Sequence, residues 1–443
     1  MKIKKFLLIA FSLPIVIFSC KKDEEKDNTV TDDPRIRTMV INSLRTTFVV
    51  NDVEGLIFNY DSLAYGTNIS KLPPIFTGYG GPLSFQYKFG EAGEWKDFAN
   101  DTIDFSSQPV FFKSIAPDPN YTKEYRIDIR VHKYDVDAFT WGKSGTLPVI
   151  GTVVSQKAVF YNQKYYFFYC NDLGKSRVIT SENGENWTDV GEIDIDNLDW
   201  TTLTSMHQPQ TLVVQSGEKL YKCDDLSANP SAFTPFTVEL PEDCTLKVPL
   251  FTLGNNFWVI AKNQSDSTFL YSLANGGEAY QRRTLLPSRV ALIEKITTFV
   301  SPSGTTTVGY IFGGESVNGN GTVWAVDVNG NIIELTSNQS VFPFLTYSMP
   351  FLFGNNLCLV GGITSGNYTD RFYVSQNSGA TWSRDTHKTL PVEIGPIAKG
   401  SIFQYERNKI ILIGGENENG FLPNVWKGVL NREILDNIIH NRN

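Results

Sequence analysis

A unit of about fifty residues returns through the C-terminal two thirds of the chain, and this period limits the folds open to it more than any other feature. The clearest copies run from Gly313-Gly314 to Val323-Trp324, from Gly361-Gly362 to Phe372-Tyr373 and from Gly414-Gly415 to Val425-Trp426. Each reads as an apolar strand ending in Gly-Gly, a polar loop, and a second strand carrying an aromatic residue. Short strands at this period, with no long helical pattern, predict a β-propeller, because one blade cannot bury its own faces and must stack on its neighbours.

Counting the strand after each polar loop as the third of its blade gives Val178-Ile179, Leu220-Tyr221, Leu270-Tyr271, Val323-Trp324, Phe372-Tyr373 and Val425-Trp426, at intervals of 42 to 53 residues. Six blades follow. Outer strands are expected at Trp187 to Ile193, Phe236 to Leu240, Tyr280 to Leu286, Ile332 to Leu335 and Trp382 to Leu390, with no candidate after the sixth third strand. The missing strand is expected at 139–147, because Trp141-Gly-Lys-Ser-Gly-Thr-Leu-Pro148 looks like Trp382 to Pro391 in its Trp start and Thr-Leu-Pro finish. A ring closed by both chain ends leaves no open edge. Truncation at residue 150 should therefore unfold a propeller whose obvious repeats all remain. The propeller is assigned to 135–431, and 432–443 to a tail with a short helix at Arg432 to Ile439.

Lys2, Lys4 and Lys5, the apolar run Phe6 to Phe18 and Ser19-Cys20 have the form of a bacterial lipoprotein signal over residues 1–19. The apolar run contains Pro14 and is too short for a membrane span. Cys20 is the expected acylated residue and the link to the membrane. Residues 20–34 are charged, nearly devoid of apolar side chains, and expected to be a solvated tether. Removing the three leader lysines takes the formal charge from −8 to −11, and no basic stripe remains to neutralise nucleic-acid phosphates.

Residues 35–134 hold seven short apolar runs, from Val40-Ile41 to the alternating Tyr125 to Val131 segment, separated by turn-rich stretches. This spacing predicts an immunoglobulin-like β-sandwich. Ile103 to Phe105 is one expected strand, and Lys71 to Pro82, with Pro73-Pro74 and three glycines, is expected to be a turn. The whole chain thus reads as all-β. Cys170, Cys223, Cys244 and Cys358 form no CxxC pair, and the four histidines are scattered, so no metal site and no cofactor is expected. Cys223 and Cys244 are the nearest pair in sequence, and both a disulfide and buried free thiols remain open.

Two turns, Thr180-Ser-Glu182-Asn-Gly184-Glu-Asn-Trp187 and Ser375-Gln-Asn377-Ser-Gly379-Ala-Thr-Trp382, fit the hairpin called the Asp-box. There the polar side chain caps backbone amides, the glycine takes a positive φ and the Trp packs beneath. The hairpin recurs in sialidases, but it is structural there, and the arginine cluster of a sialidase has no equivalent here. The Gly-Gly copies, with Trp324 and Trp426 later in their blades, resemble kelch repeats over half the ring. Some kelch propellers are copper oxidases, and His387 and Cys358 are the only candidates for such a centre in the strong repeats.

Ser19-Cys20 with its Lys/Asp/Glu cluster is similar to the surface-export signal of Bacteroidota lipoproteins. Leu63-Ala-Tyr-Gly-Thr67, Asp101 to Ser106, Tyr125 to His132 and Phe139-Thr-Trp141 resemble uncharacterised lipoproteins of that group, with an immunoglobulin-like domain before a six-bladed kelch-like propeller. The resemblance implies an outer-membrane protein facing the cell exterior. An ordinary linker on the periplasmic side is the alternative.

Two functions are compatible with these readings. One is non-catalytic binding of a glycan or a protein partner through the loops that follow the second strand of each blade. The candidate contacts are the Asn-Gly-Asn turn centred on Gly319, then Asn367, Tyr368, Asn419 and Phe421, acting by amide hydrogen bonding and aromatic stacking. The same residues also serve as ordinary turn formers. The other is a glycan hydrolase or lyase with carboxylates such as Asp172, Glu315 and Glu416 in the funnel.

Overall fold

The structure, a computed structural model, describes residues 32–237, 240–241, 243–286, 296–303, 306–315, 321–335 and 343–432. The leader, Cys20, the tether up to residue 31, the turn around Gly319 and the expected tail helix beyond Arg432 lie outside the described residues. The chain divides into two compact units, one ending at Lys133 and one beginning at Tyr134.

In the first unit a six-stranded sheet runs in the spatial order Phe48–Asn51, Leu56–Asn59, Thr122–Asp128, Val110–Ile115, Ser84–Phe89 and Lys96–Asp97. Leu56–Asn59 and Thr122–Asp128 are parallel, and the other neighbours antiparallel. Period-two alternation sends Val110, Phe112, Tyr125 and Ile127 inward, where they meet Ile36 and Met39. Two expectations fail here. Ile75–Gly78 is a strand, paired with Ile36–Val40, and Leu72 is in the core. Ile103 to Phe105 contributes only a single bridge, from Ile103 to Leu72. Pro73-Pro74 does not interrupt the ribbon because it lies just before the paired residues. The β-branched and aromatic run after it seats Phe76 with ring centroids 4.8 Å from those of both Phe85 and Phe112.

The second unit is a ring of six four-stranded antiparallel sheets. Their inner strands are Val153–Tyr161, Asp199–Met206, Cys244–Leu253, Thr297–Ser303, Met349–Phe353 and Ser401–Glu406. Every blade buries both faces, so its central strands are continuous apolar runs instead of alternating ones. In Lys164–Asn171, for example, Phe168 packs toward Trp200 and Leu212 of the second blade, whereas Phe167 packs toward Ile411 and Val425 of the sixth. Each such side chain contributes roughly 1.5–3 kcal/mol of burial. Two outer strands depart from expectation: in the second blade the strand is Thr234–Phe236, which meets the expected Phe236 to Leu240 at Phe236 alone, and in the fifth it is Ser383–Asp385, shorter than Trp382 to Leu390.

The sixth blade draws its strands from both ends of the unit, in the order Ser401–Glu406, Lys409–Ile413, Asn424–Leu430 and Phe139–Thr146. The last two pair antiparallel from Phe139 against Leu430 to Thr146 against Asn424. Trp141 Nε1 donates to the Thr389 carbonyl at 2.7 Å, tying this outer strand to the fifth blade. On the other side, Gln156 Oε1 accepts from the Gly415 amide at 2.9 Å and Ser401 Oγ from the Ala158 amide at 2.9 Å. The paired glycines suit this closure. Gly361 and Gly414 have φ of 67° and 63°, and a Cβ on either would lie 2.3 Å from an oxygen, that of the Ile397 carbonyl or of Gln156 Oε1.

Candidate functional site

In a ring of antiparallel blades, the loops between second and third strands and those between successive blades emerge on one face. Here that face carries two small hairpins, Ile363–Thr364 with Asn367–Tyr368 and Glu416–Asn417 with Gly420–Phe421. Each is pinned to the loop entering an inner strand, through bridges between Thr346 and Ile363 and between Ala398 and Glu416. The next residues, Tyr347 and Lys399, both take left-handed backbone conformations, with φ of 52° and 58°. Such conformations cost a non-glycine residue about 1 kcal/mol or more and persist where surrounding contacts impose them. Here the Lys399 amide donates to the Tyr347 carbonyl at 3.1 Å, and its ammonium lies 4.8 Å from the centroid of the Tyr347 ring.

These residues surround the mouth of the central channel. A cavity of about 300 Å³ is lined by Ser155, Asn197, Asp199, Thr201, Tyr347 and Lys399 among others. A narrow inner cavity of about 20 Å³ shares Thr201, Tyr347 and Lys399 with it and adds Gln156, Lys157, Thr297 and Ser348. Five of the six blades contribute to the inner cavity. The polar groups in and around the two cavities differ in how they are satisfied. Lys399 Nζ is 2.8 Å from Glu416 Oε1, and Tyr368 Oη donates to the same oxygen at 3.0 Å. Burial, reinforced by this bond to a carboxylate, pushes the Tyr368 phenol up to about 12. Asp199 Oδ1 accepts from both the amide and the hydroxyl of Thr201, at 3.0 and 2.7 Å. Lys157 has no hydrogen-bond or ion-pair partner among the described residues, and burial lowers its pKa from the usual lysine range. The buried Ser348 hydroxyl is likewise without a partner.

Of the residues singled out from sequence, Asn367, Tyr368, Asn419 and Phe421 all lie in the two hairpins. Asn367 and Asn419 are exposed. Tyr368 is tied to Glu416, and Phe421 packs against the core with its ring 6.2 Å from Phe167, so neither is a free stacking platform. Asp172 is exposed in the turn after the second strand of the first blade. The side chain of Glu315 lies outside the described residues. Lys157, Ser348, Tyr347 and Lys399 are not among the sequence candidates. The only signal for Lys157 is one cation in the run Val153 to Tyr161.

The two hairpins that resemble Asp-boxes join third to outer strands and therefore lie on the opposite face. In the second, the Gly379 amide donates to Ser375 Oγ at 2.8 Å, the Thr381 amide to Asn377 Oδ1 at 2.8 Å, and Trp382 Nε1 to the Gly379 carbonyl at 3.0 Å. In the first, the caps are Ser181 and Asn183, which accept from Gly184 at 2.9 Å and from Glu185 and Asn186 at 2.9 and 3.1 Å. Thr180 and Glu182 are therefore one residue out of place: Thr180 pairs with Thr188 in the sheet, and Glu182 is exposed. The shift arises because this hairpin is a residue shorter, with Gly184 alone at positive φ where the second uses both Ser378 and Gly379. Trp187 Nε1 still donates to the Gly184 carbonyl, at 3.3 Å. The four cysteines among the described residues are free thiols, with Cys170, Cys223 and Cys358 buried. His387 is bound to Asp135 at 2.8 Å, and Cys358 sits in the core between the fifth and sixth blades.

Residues 135–438 match the model of the DUF6242 beta propeller domain, and residues 18–129 that of the DUF6242 N-terminal domain, a domain of unknown function. The chain belongs to the DUF6242 family. The channel mouth just described lies wholly within the DUF6242 propeller domain. A search of curated proteins finds no match. Among solved structures, one titled "Structure of YjhT" is similar at 13% identity and a TM-score of 0.44, over 64% of this chain and 95% of that one.

Proposed function

We propose that this DUF6242 chain is a lipid-anchored binding protein of the outer membrane, facing the cell exterior, that holds a glycan at the channel mouth of its propeller without transforming it. The immunoglobulin-like character of the first unit and the kelch character of the second belong to the same proposal. The observation that carries the binding reading is the mouth cavity itself. At about 300 Å³ it is of the size that takes a small ligand, and it offers hydroxyls, the Asn197 amide, the Asp199 carboxylate and the Tyr347 ring, the groups that engage sugar hydroxyls and ring faces. Against the hydrolase or lyase reading stands Glu416, a candidate funnel carboxylate, which is occupied by Lys399 and Tyr368 and so is poorly placed to act as a free acid or base.

A glycan array probed with the unlipidated chain, alongside mass spectrometry of the bound glycans, tests the reading. Retention of a defined set of unmodified glycans, weakened by Tyr347→Ala, is expected. Release of shortened or unsaturated products would establish catalysis instead, and a flat array would move the assignment to a protein partner.

A further inference from the structure

Two polar groups at the inner end of the mouth lack a partner among the described residues, and they line the same narrow cavity. Lys157 comes from the inner strand of the first blade and Ser348 from the entry to that of the fifth. Ser348 is 3% exposed and its Oγ makes no hydrogen bond. Lys157 is half-buried, and a cation drawn from water without a counter-ion among the described residues disfavours the folded state and is normally removed or paired. Its retention beside an orphan hydroxyl is explained by a ligand that supplies the missing anion and acceptor.

The surrounding charges set the valence of that ligand. The other cation of the mouth, Lys399, is neutralised by Glu416 at 2.8 Å, and Asp199 adds a negative charge in the outer cavity. Within the inner cavity Lys157 is thus the one cation without a described counter-charge, which fits a monoanionic carboxylate, and the nearby Asp199 disfavours a doubly charged phosphate. The two volumes set its shape. About 20 Å³ admits the tip of one polar group, and about 300 Å³ outside it admits a single sugar ring whose hydroxyls meet Asp199, Asn197 and Thr201. We propose that the mouth selects acidic saccharides of the uronic-acid class, with the carboxylate seated between Lys157 Nζ and Ser348 Oγ. This rests on the glycan-binding reading above and names its ligand class. Burial lowers the Lys157 pKa and a seated carboxylate opposes that shift, so binding is coupled to proton uptake wherever the lysine is neutral beforehand.

Titration calorimetry and thermal shift on the full chain, with sodium glucuronate, glucose and sodium sulfate as probes, test the assignment. Glucuronate should bind and raise the melting temperature, with glucose and sulfate at least tenfold weaker. Lys157→Met should lose roughly 10- to 100-fold in glucuronate affinity, the range for one charge-assisted hydrogen bond. It should melt no lower than the parent in the absence of ligand, because it removes an unpaired cation. Ser348→Ala, a smaller change that keeps the assignment testable if Lys157→Met does not fold, should weaken glucuronate several-fold with unchanged melting. Equal binding of glucose and glucuronate would overturn the carboxylate anchor while leaving glycan binding intact. Sulfate matching glucuronate would overturn the saccharide class. Lys157→Met with a lower melting temperature and undiminished glucuronate affinity would show the lysine to be structural and overturn the proposal. No binding by any of the three probes would also overturn it, and the array alone would then decide the wider reading.

Discussion

Phe139→Ala isolates the contribution of the strand that closes the ring. Phe139 is 6% exposed and has ring contacts with Trp141, Phe353 and Phe372 at centroid distances of 5.7, 5.2 and 6.5 Å. Truncating a buried phenylalanine costs about 3–5 kcal/mol, and the loss of three aromatic neighbours places this site toward the upper end. Most of that cost falls on the seam between the fifth and sixth blades, where Phe139 packs with Phe372, Ile410 and Trp426. For a unit somewhat larger than 250 residues, each kcal/mol moves the midpoint by about 2 °C, so a drop of roughly 6–10 °C is expected in the propeller transition. Scanning calorimetry of the full chain, with Leu173→Ala as the control, reads this directly. Leu173 is 80% exposed, and its removal should stay within about 0.5 kcal/mol. If Phe139→Ala shifts the transition no more than Leu173→Ala does, the 139–146 strand does not hold the ring and the closure argument is wrong.

Gly361→Ala places a Cβ 2.3 Å from the Ile397 carbonyl oxygen at a φ of 67° and should cost about 2 kcal/mol or more, measurable by urea denaturation; a neutral effect would mean that the loop rearranges freely. The Asp135 carboxylate, 2.8 Å from His387 Nδ1, raises that imidazole's pKa above its ordinary value near 6.5. Its contribution, below about 1 kcal/mol because the ring is largely exposed, is therefore present below pH 6.5 and lost as pH rises through the elevated value. An NMR titration should show this, with Asp135→Asn returning the midpoint to about 6.5. Burial pushes Cys223 up to about 11 and Cys358 up to about 12, so thiol labelling at pH 8 should reach the half-buried Cys244 before either of them, and these two only on unfolding; fast modification of Cys358 would contradict its placement.

The third strand of every blade was legible because each is an apolar pair that must be buried wherever the ring places it, and all six positions fall within observed third strands. Outer strands were harder. They face solvent on one edge, so residues such as Ser383–Asp385 carry no apolar signal that sets their length. The one-residue slip at Thr180 has a related origin. Thr180 and Ser181 both carry hydroxyls and Glu182 and Asn183 both carry acceptors, so composition cannot choose between the two registers. The channel mouth was the least legible part. Tyr347 and Lys399 adopt left-handed backbone without being glycine, and nothing in a run such as Lys157-Ala158 tells which strand will face a channel until the blades are assembled.

The pairing of Phe139–Thr146 with Asn424–Leu430 also has a consequence in time. During synthesis, the strand that completes the final blade is made first, and its partner begins at Asn424, 278 residues after it ends at Thr146, a delay of roughly 14–56 s at about 5–20 residues per second. Throughout that interval the early strand has no partner of its own, and other strand edges compete for it. Its sequence answers this hazard: Gly142, Lys143 and Gly145 break up what would otherwise be an adhesive ribbon, so the segment waits poorly disposed to pair with anything but the complement that arrives last.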